Sequence, residues 1–180
     1  MKRMLMLTVV VALILIGTTN AAVEKGDTEV SIYGSWQKLN DEGGDSLDIT
    51  TIAGGLGYFV TDELQLSLVG NWSEMSVDGL DLTLWGLGGN AKYHFMTDST
   101  TVPYVGGQFL YEKLEASTSG GWSGGGSVDG YLYGPLLGAK FFMNDSTSLF
   151  VEYQYQMYGG DLDDGLDDGH AVMFGIAYLF

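Results

Sequence analysis

The chain has no cysteine and only two prolines, Pro103 and Pro135, among its 180 residues. No disulfide can hold it together, and almost nothing interrupts a backbone ladder. Basic residues are scarce, seven against 23 acidic ones. That balance excludes nucleic acid as a partner, because its binders carry a basic footprint. Long apolar runs are also missing. The one candidate, Met4 to Ile16, falls short of the roughly 20 residues that a membrane-crossing helix needs.

That run has a different use. Lys2 and Arg3 precede it, and Thr18-Thr19-Asn20-Ala21-Ala22 follows it. A basic start, an apolar stretch and small residues make a secretory signal peptide. Residues 1–22 are therefore read as a cleaved leader, with the cut after Ala21 or Ala22, and residues 23–180 as one domain. Without the leader, five basic residues face 23 acidic ones, a net charge of −18.

Glycine and aromatics are abundant together, with 28 glycines and 13% aromatic residues. They are arranged with a period of two. Val172, Phe174, Ile176, Tyr178 and Phe180 are large and apolar, while Ala171, Met173, Gly175, Ala177 and Leu179 between them are mostly small. Alternation of this kind is a strand with two different faces. Four segments repeat the motif: 55–60, 89–95, 138–143 and 175–180. Aligned on Tyr58, Tyr93, Phe141 and Tyr178, each has apolar residues two places before and after the aromatic. The register that turns these aromatics outward turns Lys92 and Lys140 inward.

The first three repeats run into Thr61-Asp62-Glu63, Thr97-Asp98-Ser99 and Asn144-Asp145-Ser146, which are turn sequences. An alternating segment follows each of them. Eight strands are predicted near 28–38, 48–60, 64–74, 80–95, 101–113, 128–142, 147–157 and 169–180. Short turns alternate with longer connections at 40–47, 74–79, 114–127 and 158–168. Within lipid every backbone polar group needs a partner, and a sheet achieves this only by closing. The prediction is an all-β, eight-stranded, antiparallel up-and-down transmembrane barrel.

These features resemble the small eight-stranded outer-membrane β-barrel family, the type of OmpX and of the OmpA transmembrane domain. The signal peptide, the glycine-aromatic hairpin repeat with Thr-Asp or Asn-Asp turns, and the terminal Phe180 carry the resemblance. It implies the outer membrane of a Gram-negative cell, a porin-like wall and contact with outer-membrane lipid and lipopolysaccharide. It also implies that Phe180, Tyr178 and Ile176 form the signal read by the barrel-assembly machinery. A monomer is expected. No periplasmic domain follows Phe180 in this sequence, so peptidoglycan anchoring is not implied.

Inside an eight-stranded barrel there is room for side chains and little else. The inward set is Gln65, Asn71, Asn90, Lys92, His94, Gln108, Lys140, Glu152, Gln154 and Gln156. Pairs across the hairpin at Asn144-Asp145 sum to about 290, which sets Glu152 diagonal to Lys140. Buried charges need partners, so a Lys140–Glu152 pair, extended to Lys92, is expected, with Gln154 and Gln108 in the same polar plug.

The long connections and their flanks are acidic, and Glu112 is grouped with them. In the last one, Asp161, Asp163, Asp164, Asp167 and Asp168 are weak candidates for calcium. The spacing and closing Glu of an EF-hand are missing, so the loop is first of all a solvated surface, and no cofactor is expected beyond that weak calcium. No catalytic residue is assigned. The expected role is structural or at the cell surface, with a plugged lumen. Pro135, inside the sixth strand, gives an alternative. It marks a bulge or a lateral opening for small hydrophobic molecules. His170, near Asp167 and Asp168, gives a second, a lipid-modifying enzyme, although no His-x-Ser motif is present.

Overall fold

The computed structural model describes residues 23–40, 46–77, 80–118, 127–162 and 168–180. Eight strands form there: β1 (Thr28–Asn40), β2 (Ser46–Phe59), β3 (Leu64–Val77), β4 (Leu80–His94), β5 (Thr101–Thr118), β6 (Ser127–Phe142), β7 (Thr147–Gly160) and β8 (Gly169–Leu179). Each pairs antiparallel with its neighbour in sequence, and β8 pairs with β1 to close the barrel. The closing seam is the shortest, six paired positions from Glu29↔Leu179 to Gly34↔Phe174. Below it, Thr28 and Phe180 exchange two backbone bonds, each 2.9 Å.

Two of the three short turns are closed by their own first residue. The Thr61 hydroxyl accepts from the backbone N–H of Glu63 and Leu64, and the Asn144 side-chain oxygen accepts from those of Ser146 and Thr147. Such self-bonded turns reverse a chain without help from the core. At the opposite, outer end the strands run further than alternation suggested. β5 continues to Thr118 and β3 to Val77. Backbone pairing does not require an amphipathic pattern once the hairpin leaves lipid, so polar flanks conceal the strand ends. The connection expected at 74–79 shrinks to the two residues between paired Val77 and Leu80. They are Asp78-Gly79, which lie outside the described residues.

The outer wall matches the expected register. Ile32, Ile52, Leu68, Leu87, Phe109, Leu137 and Phe174 project outward. Aromatics border this band on both sides. Tyr93 and Tyr178 sit toward the turns, with Trp85 and His170 eight residues away on the same faces. Eight residues of strand span about 26 Å, which suits a tilted strand crossing the hydrocarbon layer.

The glycines make the narrow lumen possible. A Cβ on Gly138 would lie 2.6 Å from the ring and hydroxyl of Tyr104, and one on Gly175 would lie 2.6 Å from Phe150. Tyr104 and Phe150 thus each rest on a glycine of the neighbouring strand. Gly54 faces outward, and the nearest atom to its Cβ would be 3.5 Å away. Gly138→Ala should therefore destabilise the barrel by about 1–3 kcal/mol, whereas Gly54→Ala should be close to neutral. Equal effects in urea refolding from micelles would show that glycine sockets do not set the interior.

Candidate functional site

The lumen is the one place where this fold concentrates charge away from water. At the turn end it is apolar: Val23, Phe59, Val102, Phe142 and Leu179 form a buried cluster. Above it lie four charges. The Lys140 ammonium donates to Glu29 at 2.5 Å, and that carboxylate also accepts from the Gln65 amide at 3.0 Å. The Lys92 ammonium donates to Glu152 at 2.6 Å. Glu152 accepts further bonds from the Tyr104 hydroxyl at 2.9 Å and the Gln154 amide at 2.8 Å. The Tyr104 ring lies between the two ammonium groups, 4.9 Å from Lys92 and 6.0 Å from Lys140.

The expected Lys140–Glu152 pair is therefore corrected. The register was right: Gly138 faces Glu152 and Lys140 faces Phe150, each summing to 290. The partners, however, come from across the barrel. Lys140 on β6 reaches Glu29 on β1, and Lys92 on β4 reaches Glu152 on β7. A lysine stem is long enough to cross a lumen this narrow, and crossing leaves each charge fully paired. Glu29 and Tyr104 were missed as members of the site. Glu29 follows the inward alternation of Ser31 and Tyr33, so parity could have found it.

From Glu152 a ladder of side chains climbs the inner face of β7. The Gln154 amide donates to Glu152, the Gln156 amide to the Gln154 carbonyl, and the Tyr158 hydroxyl to the Gln156 carbonyl. Gln108 also donates to Gln154 at 3.2 Å. Every donor on this ladder points toward the carboxylate, so the amide dipoles help to stabilise its charge. Asn71, Asn90 and His94 are inward as expected, and the His94 ring packs between Phe59 and Tyr104.

Glu112 is a second correction. It is not on a loop flank but fully buried in the upper lumen, where it accepts from Asn71 at 2.7 Å. Because β5 extends to Thr118, position 112 is still wall, and the alternation from Gln108 through Leu110 turns it inward. Farther out, at the exposed end of β5, Lys113 donates to Glu115 at 2.8 Å and holds its carboxyl below the usual range. Above Glu112, Leu162 folds over Gly130 and is buried at the outer mouth.

The remaining candidates stand apart from this network. Ile176, Tyr178 and Phe180 all project outward, with the last two rings stacked at 6.2 Å. Asp163, Asp164 and Asp167 lie outside the described residues. Asp161 and Asp168 are exposed, and Asp168 accepts from the Tyr155 hydroxyl. No cluster of metal-ligating side chains occurs among the described residues. His170 faces outward, hydrogen-bonded to the Tyr153 hydroxyl and flanked by the Tyr155 ring. Near Pro135 no extra residue is inserted, so the expected bulge is not a bulge. The β6–β7 ladder omits Gly134 and Pro135, yet the register is the same on either side.

The fold and its interior define a closed transmembrane barrel whose four central charges pair with one another across the lumen. The sequence matches the family described as the outer membrane protein beta-barrel domain over residues 8–180, and the chain belongs to that family. It resides in the cell outer membrane. Among solved structures it resembles the N-terminal barrel domain of OprF from Pseudomonas aeruginosa, at 18% identity and a TM-score of 0.63, covering 87% of this chain and 98% of that one. Neisserial surface protein A is similar at 17% identity and a TM-score of 0.66, with coverage of 86% and 98%. OprG from Pseudomonas aeruginosa is similar at 15% identity and a TM-score of 0.57, with coverage of 89% and 98%. No curated protein matches the chain in sequence.

A double-mutant cycle tests the pairing. Glu152→Gln should cost about 3–5 kcal/mol because Lys92 is left uncompensated. Lys92→Met combined with Glu152→Leu should recover most of that loss. Coupling between positions 92 and 152 should exceed coupling between 140 and 152. The reverse order would restore the hairpin pair.

Proposed function

We propose that this barrel is a non-catalytic outer-membrane protein that acts through its outer surface, with its lumen closed to solutes. The observation that carries the reading is the filled interior. Among the described residues, two ion pairs cross the barrel, an apolar layer lies below them and Leu162 lies above. The enzyme alternative rests on His170, which among the described residues bonds the Tyr153 hydroxyl, while Asp168 accepts from the Tyr155 hydroxyl. Phe180, Tyr178 and Ile176 are the residues we assign to recognition by the assembly machinery.

The charge of the outer surface narrows the partner. The attachment invasion locus protein of Yersinia pestis, at 19% identity and a TM-score of 0.53, has been crystallised with the heparin analogue sucrose octasulfate. A net charge of −18 on residues 23–180 would repel such a polyanion. Acidic loops instead suit the phosphates of lipopolysaccharide through shared divalent cations. Millimolar calcium, the range of weak extracellular sites, should slow proteolysis of the last loop, and magnesium should do less. Changing Asp163, Asp164 and Asp167 together to Asn should remove the effect. Identical cleavage with calcium, magnesium and chelator would leave that loop as plain solvated surface.

One observation favours a second reading, the passage of small hydrophobic molecules into lipid. Gly134 and Pro135 are unpaired with β7, although Leu132 and Leu136 close the inner side of that gap. Planar-bilayer recording separates the two. The refolded protein should show no conductance steps, and its liposomes should take up a hydrophobic solute no faster than empty ones. Pro135→Val supplies an N–H to the ladder and should stabilise the barrel by about 0.5–1.5 kcal/mol without changing uptake. Uptake by the parent that Pro135→Val abolishes would favour the lateral route.

A further inference from the structure

The segment before β1 does not hang free at the turn end of the barrel. Val23 is 2% exposed, and its side chain enters the lumen among Phe59, Val102, Phe142 and Leu179. Its backbone N–H donates to the Thr97 carbonyl in the second turn, at 3.3 Å. The Lys25 N–H donates to the Asp62 carboxylate in the first turn, at 2.9 Å. The Gly26 N–H donates to the Phe59 carbonyl at 2.9 Å, and Gly26 has φ +102, a conformation that favours glycine. Inside, Asp27 accepts from the Glu24 N–H and tightens the segment. Four residues thus tie two separate turns to the start of β1, the strand of the shortest seam.

We propose that the turn-side mouth of the barrel is a peptide-binding site, and that Val23–Gly26 is its ligand in cis. The site offers an apolar socket for a β-branched side chain, a carbonyl acceptor at Thr97 and a carboxylate acceptor at Asp62. Its occupant acts as a stopper. Directly within lies the His94 ring against Phe59, and the Lys140 ammonium lies 5.3 Å from that same ring. The stopper therefore keeps periplasmic water from the Lys140–Glu29 pair, and ion pairs strengthen where water is excluded. This inference rests on the barrel fold and not on the partner at the outer surface.

His94 supplies the readout. Its Nδ1 bonds the Glu63 carbonyl, its Nε2 has no partner, and the residue is completely buried. In a His170→Gln background it is the one histidine of the chain, and diethylpyrocarbonate modification at Nε2 can be followed by absorbance in the folded barrel. Val23→Asp should raise the rate at least tenfold and Asp62→Ala by a smaller factor, while Val23→Ile should leave it unchanged. The free peptide Val-Glu-Lys-Gly-Asp, at about 10 mM to match the effective concentration of a short tether, should restore protection to Val23→Asp, and a scrambled peptide of the same composition, which consumes as much reagent, should not. If Val23→Asp does not fold, Asp62→Ala, which lies outside the lumen, still decides. Unchanged protection of His94 in the folded variants would overturn the stopper. Exposure that the peptide does not reverse would overturn the binding site.

Discussion

The lumen of an eight-stranded barrel is too narrow to be a solvent compartment, and this constraint orders the rest of the molecule. Side chains that point inward meet the opposite wall. A charge placed there cannot be hydrated, so it must find its counterpart across the axis. Lys140 with Glu29 and Lys92 with Glu152 do this, and each pair joins two strands that share no ladder. The pairs therefore act as cross-braces. They specify the relative height of distant strands, which the nearest-neighbour ladder fixes only through the accumulated register.

The same constraint explains the composition. Tyr104 needs the space that Gly138 leaves, and Phe150 needs that of Gly175. A wall with large residues at every inward position would not close at this diameter. Alternation of glycine with bulky groups around the barrel produces sockets, and the sockets fix the rotamers that bring hydroxyl and amide groups onto Glu152. Among the described residues, several strand glycines serve interior packing, while the turn geometry at Thr61 and Asn144 comes from side-chain oxygens.

The wall was legible in the sequence because its two environments are so different. Period-two alternation, with aromatics at Tyr58, Tyr93 and Tyr178, sets inside and outside, and the hairpin sum of 290 fixes the β6–β7 register. Outer strand ends were not legible, because beyond the lipid both faces are polar and alternation carries no signal. That is why Glu112 was assigned to a loop flank. The cross-lumen partners were hidden for another reason. Which inward residues meet depends on strand stagger summed around the barrel, and a long lysine then selects among several carboxylates within reach. Local spacing placed Lys140 beside Glu152; the closed geometry gave it Glu29.

The ends of the lumen face different media, and their closures differ accordingly. Toward the outer mouth Leu162 rests on Gly130 above a carboxylate whose bonded partner is the neutral amide of Asn71. At the inner mouth a five-residue apolar cluster lies directly beneath two full ion pairs. A water molecule reaching Glu29 or Lys140 would screen a pair that braces the shortest seam, whereas water beside Glu112 would solvate a carboxylate that has no countercharge to lose. The inner seal therefore protects the barrel's closure, while the outer end can tolerate hydration without loosening the wall.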